Sequence, residues 1–285
     1  MSTQATLARS FLAQHEDESI LVLPNAWDVA SARVFGGSGA RAIGTTSMGI
    51  AAVAGHPDVE AMPFEGMVEA VGRIVSAVDV PVTADMERGW GETPDAVGVR
   101  MRQVVGRGAV GINLEDGTGD SDQPLDPPEL VAEKIIAVRE ATRDDIHLVI
   151  NARTDVFLVR AGDPDSWLIE TLRRLHVFRD AGADCLFVPG GLPRETIAIL
   201  ARDAGGPLNV VANPAISIPV VPSIPELRDL GVARVSVGAG AMRATLAYTR
   251  RVAEELLGPG TYDVMRGELD RPDAPDAYRM AIGDG

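Results

Sequence analysis

The chain has 285 residues and 30.0 kDa, with 46% hydrophobic residues, a mean hydropathy of +0.08 and a formal net charge of −15. That length fits one large domain or two small ones, and the apolar content supplies ample core. The acidic balance argues against nucleic acid and anionic membrane surfaces as partners, and a single cysteine rules out a disulfide framework within one chain, which fits a cytoplasmic protein.

In chain order, Thr6-Leu7-Ala8-Arg9-Ser10-Phe11-Leu12 reads as a short amphipathic helix, without the continuous apolar stretch of a signal peptide. No run of about 18 apolar residues follows anywhere, so no transmembrane helix is expected. Strand-like runs are predicted at 21–26, 42–47, 80–86, 111–115, 148–154, 185–189, 208–212 and 234–238. Most are continuous Val, Ile, Leu and Ala segments without strict alternation, the pattern of parallel strands covered on both faces. Helical patterns lie between them. Thr93-Pro94 sets a capping hydroxyl before a proline at the first helical position, with Val97, Met101, Val104 and Val105 following at helical spacing. Pro127-Pro128 opens another, with Val131, Ile135 and Val138 in register, and Asp163-Pro164 a third, with Leu168, Leu172 and Leu175 on one face.

Eight strands, each followed by a helix, predict a closed (β/α)8 barrel of the TIM type. A doubly wound sheet is the competitor, but Gly37-Ser38-Gly39 ends a helix instead of opening one, and Gly238-Ala239-Gly240 does not complete a dinucleotide fingerprint. No linker divides the chain. A single domain over 1–257, with the N-terminal helix included, is expected. The segment 258–285, rich in Pro, Gly and Asp, reads as an arm or a tail.

In such a barrel the active site gathers at the C-terminal ends of the strands. The acids Asp85, Glu87 and Glu115 stand at the ends of the third and fourth strands. Two carboxylates about 5 Å apart, at an effective dielectric near 20, repel by roughly 3 kcal/mol. A fold that gathers three calls for a cation, and an all-oxygen set suits magnesium or manganese. Solvated loop acids are the plain alternative. Arg153, at the end of the fifth strand, either balances those acids or binds a substrate carboxylate with its planar fork. The hydroxyls of Thr46 and Ser47 either bind the same anion or satisfy the end of the second strand. Trp27 either walls the site or packs on the rim. His56 lies on the loop near Asp58, where a lone histidine is more often incidental than catalytic.

Several motifs together carry a family resemblance. They are Pro24-Asn25-Ala26-Trp27-Asp28-Val29-Ala30-Ser31-Ala32, Thr46-Ser47-Met48, Gly55-His56-Pro57-Asp58, Asp85-Met86-Glu87-Arg88-Gly89-Trp90-Gly91, Glu115-Asp116 and Asn151-Ala152-Arg153-Thr154-Asp155. Through them the chain resembles the phosphoenolpyruvate mutase/isocitrate lyase superfamily over about 21–257. The resemblance implies a Mg2+-dependent enzyme acting on a 2-oxo acid through a metal-stabilised enolate. Asp85, Glu87 and Glu115 would then hold the metal, and Asp58, Glu115 and Arg153 would be the catalytic groups. Asn25, Trp27, Thr46, Ser47, Met48 and Arg153 would contact the substrate. It also implies a tetramer, or a dimer, in which the helix at 241–257 is exchanged between subunits.

The resemblance has departures. Lyases of the superfamily carry Lys-Arg-Cys-Gly-His after the Glu-Asp motif, whereas residues 117–126 here read Gly-Thr-Gly-Asp-Ser-Asp-Gln-Pro-Leu-Asp, without cysteine or lysine. Pro189 stands where the family commonly has Glu or His. C–C bond cleavage by a lyase or decarboxylase with little demand for acid catalysis is therefore the preferred expectation. A C–P bond enzyme is the alternative, and a non-catalytic 2-oxo acid binder is a third.

Overall fold

The structure is a computed structural model that describes residues 3–214 and 222–283. Its centre is a closed barrel of eight parallel strands. The first, β1, runs as Leu21–Leu23 and Asn25–Ala26, interrupted at Pro24. The others are β2 (Ile43–Thr45), β3 (Val82–Asp85), β4 (Gly111–Glu115), β5 (Val149–Arg153), β6 (Cys185–Val188), β7 (Leu208–Val211) and β8 (Arg234–Ser236). Each matches a sequence-predicted strand to within two residues at either end. Proline has no N–H to give the ladder, and β1 changes partner there. Its first half pairs with β8 and its second half with β2, so one strand closes the ring.

A helical layer surrounds the barrel. It comprises α1 (Thr3–Ala13), α2 (Val29–Gly37), α3 (Ser47–Val53), α4 (Phe64–Val75), α5 (Pro94–Gly106), α6 (Pro128–Thr142), α7 (Val156–Val159) and α8 (Trp167–Asp180). There follow α9 (Arg194–Asp203), α10 (Ile224–Asp229), α11 (Gly240–Leu257), α12 (Asp263–Leu269) and α13 (Ala274–Ile282). Asp28 caps α2 in a reciprocal box with Ser31, and Thr93 caps α5 ahead of Pro94. The α5 and α6 axes approach closely because Gly98 lacks a side chain; a Cβ there would lie 2.8 Å from the Ala137 carbonyl. The last segment returns to the barrel wall, where Arg33 Nη1 donates to the Ile282 carbonyl at the end of α13 (2.8 Å).

The strands bury apolar side chains outward against the helices, Ile112, Leu114, Ile150, Ala152, Leu186 and Val188 among them. Alternate positions build a polar barrel interior from Thr83, Asn113, Asn151, Asn209, Arg234 and Ser236, all buried. Register aligns these positions in rows. Asp85, Asn113, Asn151 and Cys185 are successive partners, as are Glu115, Arg153, Phe187, Asn209 and Arg234.

The floor of the barrel is closed by Phe11 and by His15, just past the end of α1. Phe11 fits because Gly111 has no side chain; a Cβ there would stand 2.8 Å from the phenyl edge. His15 Nδ1 lies 2.8 Å from the Phe11 carbonyl and Nε2 lies 3.5 Å from Arg234 Nη1. Burial first, and the Arg234 charge second, push the His15 imidazole down from 6.5 to about 4. The unfolded chain therefore binds more protons than the folded one between those values. Stability is fully present above 6.5 and falls by about 3 kcal/mol as the pH drops to 4. His15→Gln is expected to flatten that acid limb by most of this amount, measured by denaturant unfolding at pH 7.5 and pH 4.

Candidate active site

The C-terminal mouth of the barrel carries more carboxylate than cation. Ser47 opens α3 directly after β2, with Thr46 as its N-cap, and so points its hydroxyl and amide across the mouth. Both groups lie 3.1 Å from Asp85 Oδ2, and the hydroxyl is 3.3 Å from Asp58 Oδ1. Asp85 Oδ1 accepts from Asn113 Nδ2 (3.1 Å), and the Asp85 amide donates to Thr45 Oγ1 (2.9 Å). Asp58 and Asp85 therefore share one serine. Burial first and the Asp85 charge second raise the Asp58 carboxyl above its ordinary range.

Glu87 turns the other way. Its Oε2 accepts from the Glu60 amide (2.7 Å), while Glu60 Oε1 accepts from the Trp90 amide (2.7 Å). Four residues in this crossed pair of loops have positive φ without being glycine: Val59 at 67°, Glu60 at 54°, Glu87 at 42° and Trp90 at 52°. Such backbone costs about 1–3 kcal/mol per residue and persists only where the surroundings over-determine it. Here the two carboxylate–amide bonds do so, with the Trp90 indole donating to the Met62 carbonyl (3.0 Å). Burial, then the charges of Asp58 and Asp85, push the Glu87 carboxyl up to about 8.

Glu115 and Arg153 face each other across β4 and β5. Arg153 Nη1 lies 2.6 Å from Glu115 Oε2, yet is not aligned as a hydrogen bond, so that buried oxygen has no donor aimed at it. The rest of the guanidinium fork is spent on Asp155, Nε at 2.5 Å and Nη2 at 2.8 Å. Its Cζ lies over the Phe187 ring, 5.6 Å from the centroid. Burial raises Glu115 above the usual carboxylate range, against the opposing pull of Arg153.

A second charged layer lies behind these residues. Asp116 is fully buried and accepts from Thr154 Oγ1 (2.7 Å), the Asp155 amide (2.8 Å) and Arg174 Nη1 (2.9 Å). The loop 117–126 folds as a small hairpin, with Gly117 bridged to Leu125, and ends at Asp126. Asp126 is held by the Arg88 fork (2.9 Å from Nη2 to Oδ1) and by buried Lys134 from α6 (3.1 Å). Gly117 packs on the Asp155 carboxylate and Gly119 on Val59, so side chains at either glycine would collide there.

The structure thus brings Asp58, Asp85, Glu87, Glu115, Arg153, Thr46 and Ser47 to one end of the barrel. Thr46 spends its hydroxyl on the Gly49 amide (3.4 Å). Asn25 ties three strand ends together, donating to the Thr45 carbonyl (2.8 Å) and accepting from the Val237 and Gly238 amides (2.8 and 2.9 Å). Trp27 packs against Phe35 with the two rings nearly perpendicular, and Met48 is 40% exposed beside Ser47. His56 is exposed. Asp155, Asn113 and Glu60 belong to the same constellation, although no role for them follows from their sequence positions alone. Alternation was the available signal for Asn113, which shares a strand face with Glu115.

The donor set fits a hard divalent cation. Four carboxylates from three segments lie at this mouth with one guanidinium to balance them, and Asp58, Glu87 and Glu115 are pushed toward their protonated forms. Among the described residues, however, no three acids, histidines or cysteines already stand at the spacing of a coordination sphere. Each acid instead has a partner of its own: Ser47 for Asp85, the Glu60 amide for Glu87 and Arg153 for Glu115. Among the described residues no helix is long and apolar enough to cross a membrane.

Comparison with known proteins gives the family and the fold. The sequence profile of the phosphoenolpyruvate phosphomutase family matches residues 11–257. An uncharacterized Mycobacterium tuberculosis protein is 35% identical over 231 residues, covering 81% of this chain and 82% of that protein. The 2,3-dimethylmalate lyase of Eubacterium barkeri is 30% identical over 181 residues, 60% of this chain and 59% of the lyase. A crystal structure of a 2,3-dimethylmalate lyase superposes with a TM-score of 0.81 at 27% identity, covering 96% of this chain and 94% of that one.

Proposed function

The chain belongs to the phosphoenolpyruvate phosphomutase family, within the phosphoenolpyruvate mutase/isocitrate lyase superfamily, and from that premise we propose that it is a magnesium-dependent enzyme cleaving a C–C bond beside the carbonyl of a 2-oxo acid. The observation that carries this reading is the excess of buried carboxylate over cation at the barrel mouth. Asp85, Glu87 and Glu115 would hold the ion, with Mn2+ able to replace Mg2+. When bound, the ion supplies Lewis acidity for the enolate left by bond cleavage.

The remaining work falls to the chain's own residues. Arg153, backed by Asp155 and set over the Phe187 ring, orients the substrate carboxylate. The Ser47 hydroxyl, with the Thr46–Met48 turn around it, holds the same end, and Trp27 and Asn25 frame the rim. Asp58 has a carboxyl raised by burial and shares Ser47 with Asp85, so it is placed to carry a proton to or from the substrate. The hairpin 117–126 packs on Asp155 and Val59 and is tied down through Asp126. Oligomerisation through α11 belongs to the same reading. Met242 is its one buried residue, while Leu246 and Leu257 are exposed, so light scattering should report a tetramer or a dimer.

A C–P bond enzyme is the second reading, favoured by the family whose profile matches. A screen of 2-oxo acids with magnesium, read by pyruvate release, tests the first; phosphonopyruvate followed by phosphorus NMR tests the second. Loss of all turnover in chelated protein is expected. Full activity after chelation would refute the metal-dependent reading.

Metal binding should also release protons. Glu87, pushed up to about 8, holds a proton at neutral pH that an incoming cation displaces. Mn2+ affinity is therefore expected to rise by about tenfold per pH unit below 8 and then level off. Calorimetry in two buffers of different ionisation enthalpy measures this release; buffer-independent heats would contradict it.

A further inference from the structure

Beneath the mouth, one buried cation has no acid to pair with. Arg234 begins β8 and is 1% exposed, the largest of the fully buried side chains. No Asp or Glu among the described residues lies within ion-pair distance of it, whereas half-buried Arg153 on β5 and buried Arg174 on α8 each grip two carboxylates. Its Nε has no hydrogen-bond partner among the described residues. Below, it meets His15 Nε2 at 3.5 Å and the Phe11 ring at 5.8 Å, neither of which neutralises it. An unpaired charge inside a barrel is expensive to bury, so its surroundings must return something for it.

Among the described residues, Asn113 is the side chain that meets it on the side of the mouth. Arg234 Nη2 donates to Asn113 Oδ1 (3.3 Å), and Asn151 Nδ2 donates to the same oxygen (2.8 Å). Two donors on the oxygen fix which way the amide faces. Its Nδ2 then points at Asp85 Oδ1 (3.1 Å). Register supports this path, since Asp85, Asn113 and Asn151 are neighbours on three adjacent strands. Asp85 is also the carboxylate whose charge acts on Arg234.

The geometry points to Arg234 as a positioning residue that acts through Asn113: by donating to the Asn113 oxygen it helps fix the amide that donates to Asp85 Oδ1, and so aims that carboxylate toward the cation site. This rests on the reading of Asp85 as a metal ligand given above. Arg234 reaches Asp85 through Asn113 and not directly, and its place at the start of β8 separates it from the motifs that define the mouth.

The test is Mn2+ affinity by electron paramagnetic resonance, with folding of each variant checked by circular dichroism. Arg234→Met should weaken Mn2+ binding by about tenfold or more, as losing an outer partner of a metal ligand does. Arg234→Lys, which keeps the charge, should recover most of that loss. His15→Gln, which touches Arg234 from the floor but is not in the path to Asp85, should bind Mn2+ as the wild type does. If Arg234→Met does not fold, Asn113→Leu breaks the same path with Arg234 in place and should show a similar loss. Wild-type affinity in Arg234→Met or Asn113→Leu, or Lys as poor as Met, overturns the role of Arg234 alone. Absence of Mn2+ binding in the wild type overturns the metal reading and this role with it.

Discussion

Glu87→Gln is expected to stabilise the metal-free protein at alkaline pH while removing most of its affinity for the cation. Glu87 is 5% exposed, and burial with the charges of Asp58 and Asp85 pushes its carboxyl from 4.5 to about 8. The folded chain therefore binds more protons than the unfolded one across that window. The sign follows: its contribution is intact below 4.5 and is lost as the pH rises to 8. At 1.36 kcal/mol per unit the loss reaches up to about 5 kcal/mol. Glutamine cannot ionise, and its oxygen can still accept from the Glu60 amide. Denaturant melts of variant and wild type should agree near pH 4.5 and separate by several kcal/mol at pH 9, with the variant the more stable. A variant that is no more stable at pH 9 would show that Glu87 stores no such electrostatic strain. Its Mn2+ affinity should fall by more than roughly 100-fold, beyond what losing a supporting group costs. Stability gained at the expense of binding is the behaviour expected of a site built for a ligand.

Arg153→Ala has the opposite sign for stability. The guanidinium holds Asp155 through two hydrogen bonds and stands 2.6 Å from Glu115, with all three side chains largely buried. Removing it leaves two carboxylates facing each other without a cation. Breaking a buried pair from one side costs about 3–5 kcal/mol, and thermal unfolding at neutral pH should show a loss of that order. Arg153→Lys keeps the charge but not the fork, and cannot span Glu115, Asp155 and a substrate carboxylate together. It should recover part of the stability and little of the affinity for oxalate measured with magnesium. Oxalate binding at wild-type strength in Arg153→Lys would show that Arg153 serves the acids alone.

Much of the barrel was legible because parallel strands buried on both sides leave continuous apolar runs, and helix starts such as Thr93-Pro94 announce themselves locally. The ends of β3, β4 and β5 were legible for the same reason: Asp85, Glu115 and Arg153 interrupt apolar runs. What stayed hidden depends on contacts distant in sequence. Arg153 admitted two readings from its position, and its fork turns out to rest on Asp155, two residues on, while its third nitrogen reaches Glu115 on the neighbouring strand. The positive φ of Val59 and Glu60 comes from crossing bonds to residues 87 and 90, which no local pattern specifies. The loop 117–126 lacks a lysine of its own, yet Lys134 from the following helix anchors its end. Arg234 was hidden because it opens an otherwise ordinary strand and acts upward through the barrel interior.

The central claim is that the acids of the third and fourth strands close on one divalent ion that leaves room for a bidentate oxo acid. An anomalous difference map from crystals grown with Mn2+ and oxalate tests it most directly. The expected result is one strong peak between Asp85, Glu87 and Glu115, with oxalate reaching from it to Arg153 and Ser47. A map without manganese at that place, its carboxylates still turned to Ser47, the Glu60 amide and Arg153, would contradict it.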